Sequence, residues 1–169
     1  MKKPYALFQH DVVFNFLSET IYSIIDDETI RAGDIRRIFN YFLLDTPFDP
    51  LTYVIATLYF ERLHDLIIVD SFNFERYFCI CILLSCKINE DVYLKNSKFF
   101  NFFDDYFEDL REFNTLEMNL LKVLNYDLII SSEEMNNFIK EKVSGLNEKI
   151  QKGIKNSELY RKKILQDKC

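Results

Sequence analysis

Tryptophan is absent from this 169-residue chain, glycine and proline occur three times each, and histidine occurs twice. So little glycine leaves no material for loops that cradle phosphates, and neither G-x-x-x-x-G-K nor G-x-G-x-x-G is present. Few glycines and prolines also argue against a β fold dense in turns. G-x-S-x-G and H-E-x-x-H are missing as well, so no catalytic residue is assigned. His64, beside Asp65 at the end of an apolar segment, reads as a helix-terminal histidine rather than a base. Long hydrophobic runs are lacking too. The longest, Tyr77–Leu84, spans eight residues, against the ~18 that suggest a membrane span. The opening MKKPYALFQHDVV has two lysines, but Pro4, Gln9, His10 and Asp11 interrupt any apolar core, so no secretory signal is expected.

Cysteines number four. Helical spacing puts Cys79 and Cys86 on one face and turns Cys81 about 160–200° away. Zinc needs four convergent ligands, and His10 and His64 lie far off in sequence. Small buried thiols in a reducing compartment are expected instead, with no metal, no cofactor and a nuclear or cytoplasmic, intracellular location.

Charge of one sign is also short where nucleic acid would need it. The net charge is −6. From Ser131 onward there are 9 basic and 6 acidic residues, leaving 12 basic and 21 acidic on the remaining 130. An acidic body with a mildly basic tail is unlike the basic stripe of a nucleic-acid binder, and the tail reads as a solvated helix. Neither nucleic acid nor membrane is expected as a partner.

What is abundant is core material: 49% hydrophobic residues and 17 phenylalanines, enough for one domain with a tail. Apolar residues recur at three and four, and strand-like alternation is scarce. DVVFNFLSETIYSII gathers Val12, Phe16, Ile21, Ile24 and Ile25 near one face. DIRRIFNYFLL follows with Asp34 as N-cap. DPLTYVIATLYFERL starts with Asp49 as cap and Pro50 at the first helical position. A fourth helix after Asn73 is apolar nearly all round over two turns, which predicts a central helix covered by neighbours. LKNSKFFNFF predicts a short helix and DDYFEDLREF an acidic linker. NTLEMNLLKVLNYDL predicts a helix with Leu116, Leu120, Val123 and Leu124 as its stripe. Ser131 to Glu134 forms a capping box for a further helix ending near Gly145. The class is all-α: an N-terminal helix and connector (1–33), five helices (34–130), then a C-terminal helix with a basic tail (131–169).

Two charges stand in apolar register. Lys87 continues the stripe of Ile80, Leu83 and Leu84, and Glu117 is in register with Leu121, Leu124 and Leu128. Local explanations exist for both. Lys87 falls in the last turn of its helix, where a cation is favoured, and Glu117 is placed to cap from Asn114. A pair between them at a surface would contribute about 0–1 kcal/mol.

These segments in series resemble a cyclin box, most closely that of the P/U-type cyclins related to fungal phosphate-response cyclins. The second box helix ends in Tyr59, Phe60, Glu61, Arg62 and Leu63. The third opens near Asn73 and Arg76 and closes on Lys87, Glu90 and Asp91. Tyr93 and Asn96, with one spacing residue extra, match the start of the short fourth helix, and Asn114, Leu116 and Glu117 match the fifth. The resemblance spans roughly Asp34 to Glu141. It implies a single five-helix cyclin box that binds and activates a cyclin-dependent protein kinase, without catalysis of its own.

On this resemblance Lys87 and Glu117 clamp main-chain groups at the base of the kinase's regulatory helix. Leu84, Ile88, Leu121 and Tyr126 supply flanking apolar contacts, and Arg37 with Glu61 forms an internal ion pair. Alanine at Lys87 or Glu117 would then weaken kinase binding with melting nearly unchanged. Two departures stand out. FFDDYFEDLREF replaces the Gly-Gly turn between the fourth and fifth helices, and DIRRIFNYF lacks the docking patch of cell-cycle cyclins. The alternative is a helical adaptor of the same shape that binds a transcription or scaffold protein.

Overall fold

The computed structural model describes residues 17–25, 35, 48–91 and 95–144. Every regular element among them is helical, and there is no strand. The helices are α1 (17–24), α2 (Pro50–His64), α3 (Phe74–Asn89), α4 (Asn96–Phe103), α5 (Leu110–Val123) and α6 (132–144), with a 3₁₀ turn at Asp104–Tyr106 after α4. The chain forms two compact units, Met1–Ser131 and Ser132–Cys169. In the second unit, α6 carries Lys142 over the Phe138 ring, with Nζ 5.5 Å from its centroid.

The first unit is organised around α3. From Cys79 to Cys86 every residue is buried, so this helix has no solvent face in its middle two turns. That follows from its apolar circumference, because a helix hydrophobic all round is stable only when covered. α2 packs along it, α5 packs on another side, and α4 packs on α5. Burial pushes the Cys79, Cys81 and Cys86 thiols well above the ordinary thiol range, which keeps them neutral and unreactive. No group of three or more His, Cys, Asp or Glu residues that could hold a metal occurs among the described residues. No helix there is long and apolar enough to cross a membrane.

Polar groups fix how α2 and α3 meet. Asp49 caps α2 by accepting from Leu51 N at 2.8 Å, with Pro50 at the first helical position. Ser85, fully buried on α3, donates to the Thr52 carbonyl at 2.7 Å, so a small side chain lets the two helices approach. Glu90, just past the end of α3, accepts from Asp49 N at 3.0 Å and from Thr52 Oγ1 at 2.5 Å. A carboxylate at a helix N-terminus answers both the free amides and the positive end of the dipole. The exit of α3 is thereby tied to the entry of α2.

Phenylalanine fills the other side. Phe48 stacks on Phe99, and Phe99 meets Phe103, which stacks on Phe113. Phe107 stands edge-on to Phe113 at 5.0 Å. Elsewhere, Phe60 of α2 and Phe78 of α3 meet edge to face at 5.6 Å. Offset and edge-on ring pairs add to what the buried area alone gives.

The structure moves the start of α5. Its N-cap is Asp109, whose side chain accepts from Glu112 N at 2.7 Å, and Glu112 in turn accepts from Glu108 N. The stretch expected as an acidic linker therefore supplies the first turn of this helix. Asn114 is interior, so it does not cap, and Glu117 has no cap to serve. The buried stripe is Phe113, Glu117, Leu120 and Leu124: Leu120 and Leu124 are buried as expected, whereas Leu116 and Val123 are only half-buried and Phe113 and Glu117 are buried instead. Leu128 lies beyond the end of the helix.

Candidate functional site

Lys87 sits in the last turn of α3 and Glu117 in the middle of α5. The packing of these helices brings the ammonium onto Glu117 Oε1, forming an ion pair. Glu117 is buried, only 6% exposed, whereas the Lys87 side chain keeps 24% of its surface. The pair therefore spans from the core to the surface. A long aliphatic stem suits Lys87 to this path, since its methylenes follow the apolar stripe and its charge emerges at the end.

A third residue completes the arrangement. Asn96, the first residue of α4, donates from Nδ2 to Glu117 Oε2 at 2.6 Å and to Asn114 Oδ1 at 2.7 Å. Each carboxylate oxygen of Glu117 thus has its own donor, one from α3 and one from α4. Charge-assisted bonds of this kind are roughly twice as strong as neutral ones. In sequence, Asn96 and Asn114 stand out only as motif matches. Their polarity within phenylalanine-rich segments was the signal available for more.

The flanking residues differ in exposure. Ile88 is 57% and Tyr126 59% exposed, and Leu121 is half-buried. Leu84 is buried in the core at 2%, where a partner cannot reach it, so the accessible members of the set are Ile88, Leu121 and Tyr126. Arg37 lies outside the described residues, and so does the pair expected between it and Glu61, which is half-buried on α2.

Tyr126 is presented by an uncommon turn. Asn125 and Tyr126 both adopt left-handed backbone, with φ of 53° and 59°. Tyr126 N bonds the Leu121 carbonyl at 2.8 Å, and Asn125 N bonds that of Lys122 at 2.9 Å, which closes α5. Asparagine tolerates this region, but a tyrosine there costs of order 1 kcal/mol. Tyr126→Gly is accordingly expected to leave stability equal or raised by up to about 1 kcal/mol, read as the urea midpoint. A clear loss of stability would mean that the ring packs more than its exposure indicates.

Beyond the turn, the chain is pinned to α2. Tyr59 Oη donates to the Leu128 carbonyl at 2.6 Å, and the Arg62 guanidinium donates to those of Asp127 and Ile129. At the opposite end of α3, Arg76 pairs with Glu112 and lies 5.3 Å from the Phe107 ring centroid. Tyr59, Arg62 and Arg76, which in sequence carry only the family likeness, are thus the cross-links that set α2 and α5 in place.

No characterised protein and no solved structure matches the chain significantly. A family model does: that of the cyclin N-terminal domain, over residues 9–129. That span contains α1 to α5, Lys87, Asn96 and Glu117, and every regular element described within it is helical. The chain belongs to the cyclin family.

Proposed function

We propose that the chain is the non-catalytic regulatory subunit of a cyclin-dependent protein kinase, of the P/U type. It activates the enzyme by holding the kinase's regulatory helix in the active position. The observation that carries this reading is the Lys87–Glu117 pair, held at a surface edge with bonding capacity to spare. An ammonium has three donors, and Glu117 engages one of them. A carboxylate offers about four acceptor positions, of which Lys87 and Asn96 occupy two. The pair can therefore donate to a partner's carbonyl and accept from a partner's amide without being dismantled. Ile88, next to Lys87 in the chain, and Tyr126, just past the end of α5, supply exposed apolar surface.

Kinase chemistry gives such a clamp its effect. Phosphoryl transfer is efficient only when the β3 lysine and the regulatory-helix glutamate are paired. A protein that binds the paired state better shifts the population toward it. Going from 1:99 to 99:1 takes about 5.5 kcal/mol of preference. Two charge-assisted bonds with an apolar surround on a rigid helical face are of that order.

The test is affinity capture of the tagged chain from its native cells, beside the Lys87→Met/Glu117→Gln double variant, with partners identified by mass spectrometry. A cyclin-dependent kinase recovered with the wild type and depleted with the variant is expected. Scaffold or transcription proteins recovered equally by both, with no kinase, would replace this reading by the adaptor one.

A further inference from the structure

We infer that Asn96 is a positioning residue for the clamp: its amide locks the Glu117 carboxylate in the orientation that Lys87 and the partner both use. The partner-binding half of this inference rests on the kinase-regulator reading, and the network itself does not.

One amide group makes both bonds. Nδ2 carries two hydrogens, and these go to Glu117 Oε2 at 2.6 Å and Asn114 Oδ1 at 2.7 Å. An ionised carboxylate only accepts, so Asn96 must present its nitrogen there, and both donors are then used. Asn114 and Glu117 are three residues apart on α5 and share a face. The first residue of α4 is thereby fixed to two positions about one turn apart on α5. With Lys87 holding the other oxygen from α3, Glu117 is gripped by two other helices. Losing either grip frees a buried carboxylate to swing, so that it no longer keeps the orientation in which it meets the ammonium.

The position of Asn96 provides a discriminating substitution. At the first residue of a helix, aspartate is normally favoured by the dipole and the free amides. If Asn96 served α4 alone, Asn96→Asp would be neutral or stabilising. If it serves Glu117, the same change sets a second carboxylate against the first and removes its donor.

The experiment is urea unfolding of the full chain for wild type, Asn96→Asp and Asn96→Leu. Asn96→Leu is measured both alone and combined with Lys87→Met. Asn96→Asp is expected to unfold at lower urea than wild type. The effect of Asn96→Leu on the unfolding equilibrium constant is expected to change at least threefold once Lys87 is replaced by methionine, because the two donors share one acceptor group. A midpoint for Asn96→Asp at or above wild type, or a change below threefold, would overturn the network.

The second readout is the affinity of the kinase captured by the wild type, taken at a temperature where all variants are folded. At least a tenfold weakening by Asn96→Leu is expected. Unchanged affinity with a shifted unfolding midpoint would overturn the positioning role and leave the amide purely structural. Failure of the wild type to bind any kinase would overturn the partner-binding half while the unfolding data still decide the network.

Discussion

Phe113→Ala is expected to lower the unfolding free energy by about 3–5 kcal/mol, the range for removing a phenylalanine from a well-packed core. Phe113 is fully buried on α5. Its ring meets those of Phe100 and Phe103 from α4 and of Phe107 from the connection between the helices. Phe103 is also held by Phe99 and Phe107 by the Arg76 guanidinium, so collapse should be limited and the cost should lie toward the upper end. Each kcal/mol corresponds to about 2–4 °C in a chain of this size, which thermal unfolding would register clearly. Phe102 is a useful comparison, since it sits at the edge of the same cluster and only half-buried. Phe102→Ala should cost markedly less. Equal losses at the two positions would mean that the core is centred elsewhere.

Changes at the ion pair are expected to separate stability from partner binding, but only when both charges go. Lys87→Ala alone leaves the buried Glu117 carboxylate with one donor in place of two. An under-satisfied buried group costs about 1–3 kcal/mol, more for a charge. The expectation from sequence that melting would be nearly unchanged is therefore revised by the burial of Glu117. Replacing both charges by neutral groups of similar shape, Lys87→Met/Glu117→Gln, should be close to neutral for stability, because no stranded ion remains. The side-chain amide introduced by Glu117→Gln keeps an oxygen that can still accept from Asn96. The double variant is expected to retain its stability within about 1 kcal/mol while its affinity for the kinase falls by at least a hundredfold. That fall corresponds to roughly 2.7 kcal/mol, a normal cost for losing two charge-assisted contacts at an interface. If Lys87→Ala were as stable as the double variant, Glu117 would have another source of compensation.

Much of this arrangement is legible in the sequence, because period and capping act locally. α2 begins where Asp49 and Pro50 place it, and α3 is central because no polar face interrupts Phe78 to Leu84. Lys87 is conspicuous for the same reason, as a charge ending an apolar stripe. The fifth helix is harder to read. Its first turn is acidic and aromatic, Leu-Arg-Glu-Phe, and acids are favoured at a helix start by the same dipole that makes the stretch resemble a solvated loop. With Phe113 assigned to that loop and Glu117 set aside as a charge, the expected stripe keeps Leu120 and Leu124 but takes in Leu116 and Val123, which are only half-buried. Pairing across helices has no periodicity to reveal it. Glu90 at the α2 entry, Arg76 on Glu112 and Asn96 on Glu117 span 21 to 41 residues of sequence, and only packing brings them together.

The most direct measurement is the phosphoryl-transfer activity of the cyclin-dependent kinase captured from native cells, assayed alone, with the wild-type chain and with the Lys87→Met/Glu117→Gln variant. Activity that rises by orders of magnitude with the wild type and stays near the kinase-alone level with the variant is the expected result. Activity that is unchanged by the wild type, or raised equally by both proteins, would contradict a clamp at Lys87 and Glu117 as the means by which this chain controls a kinase.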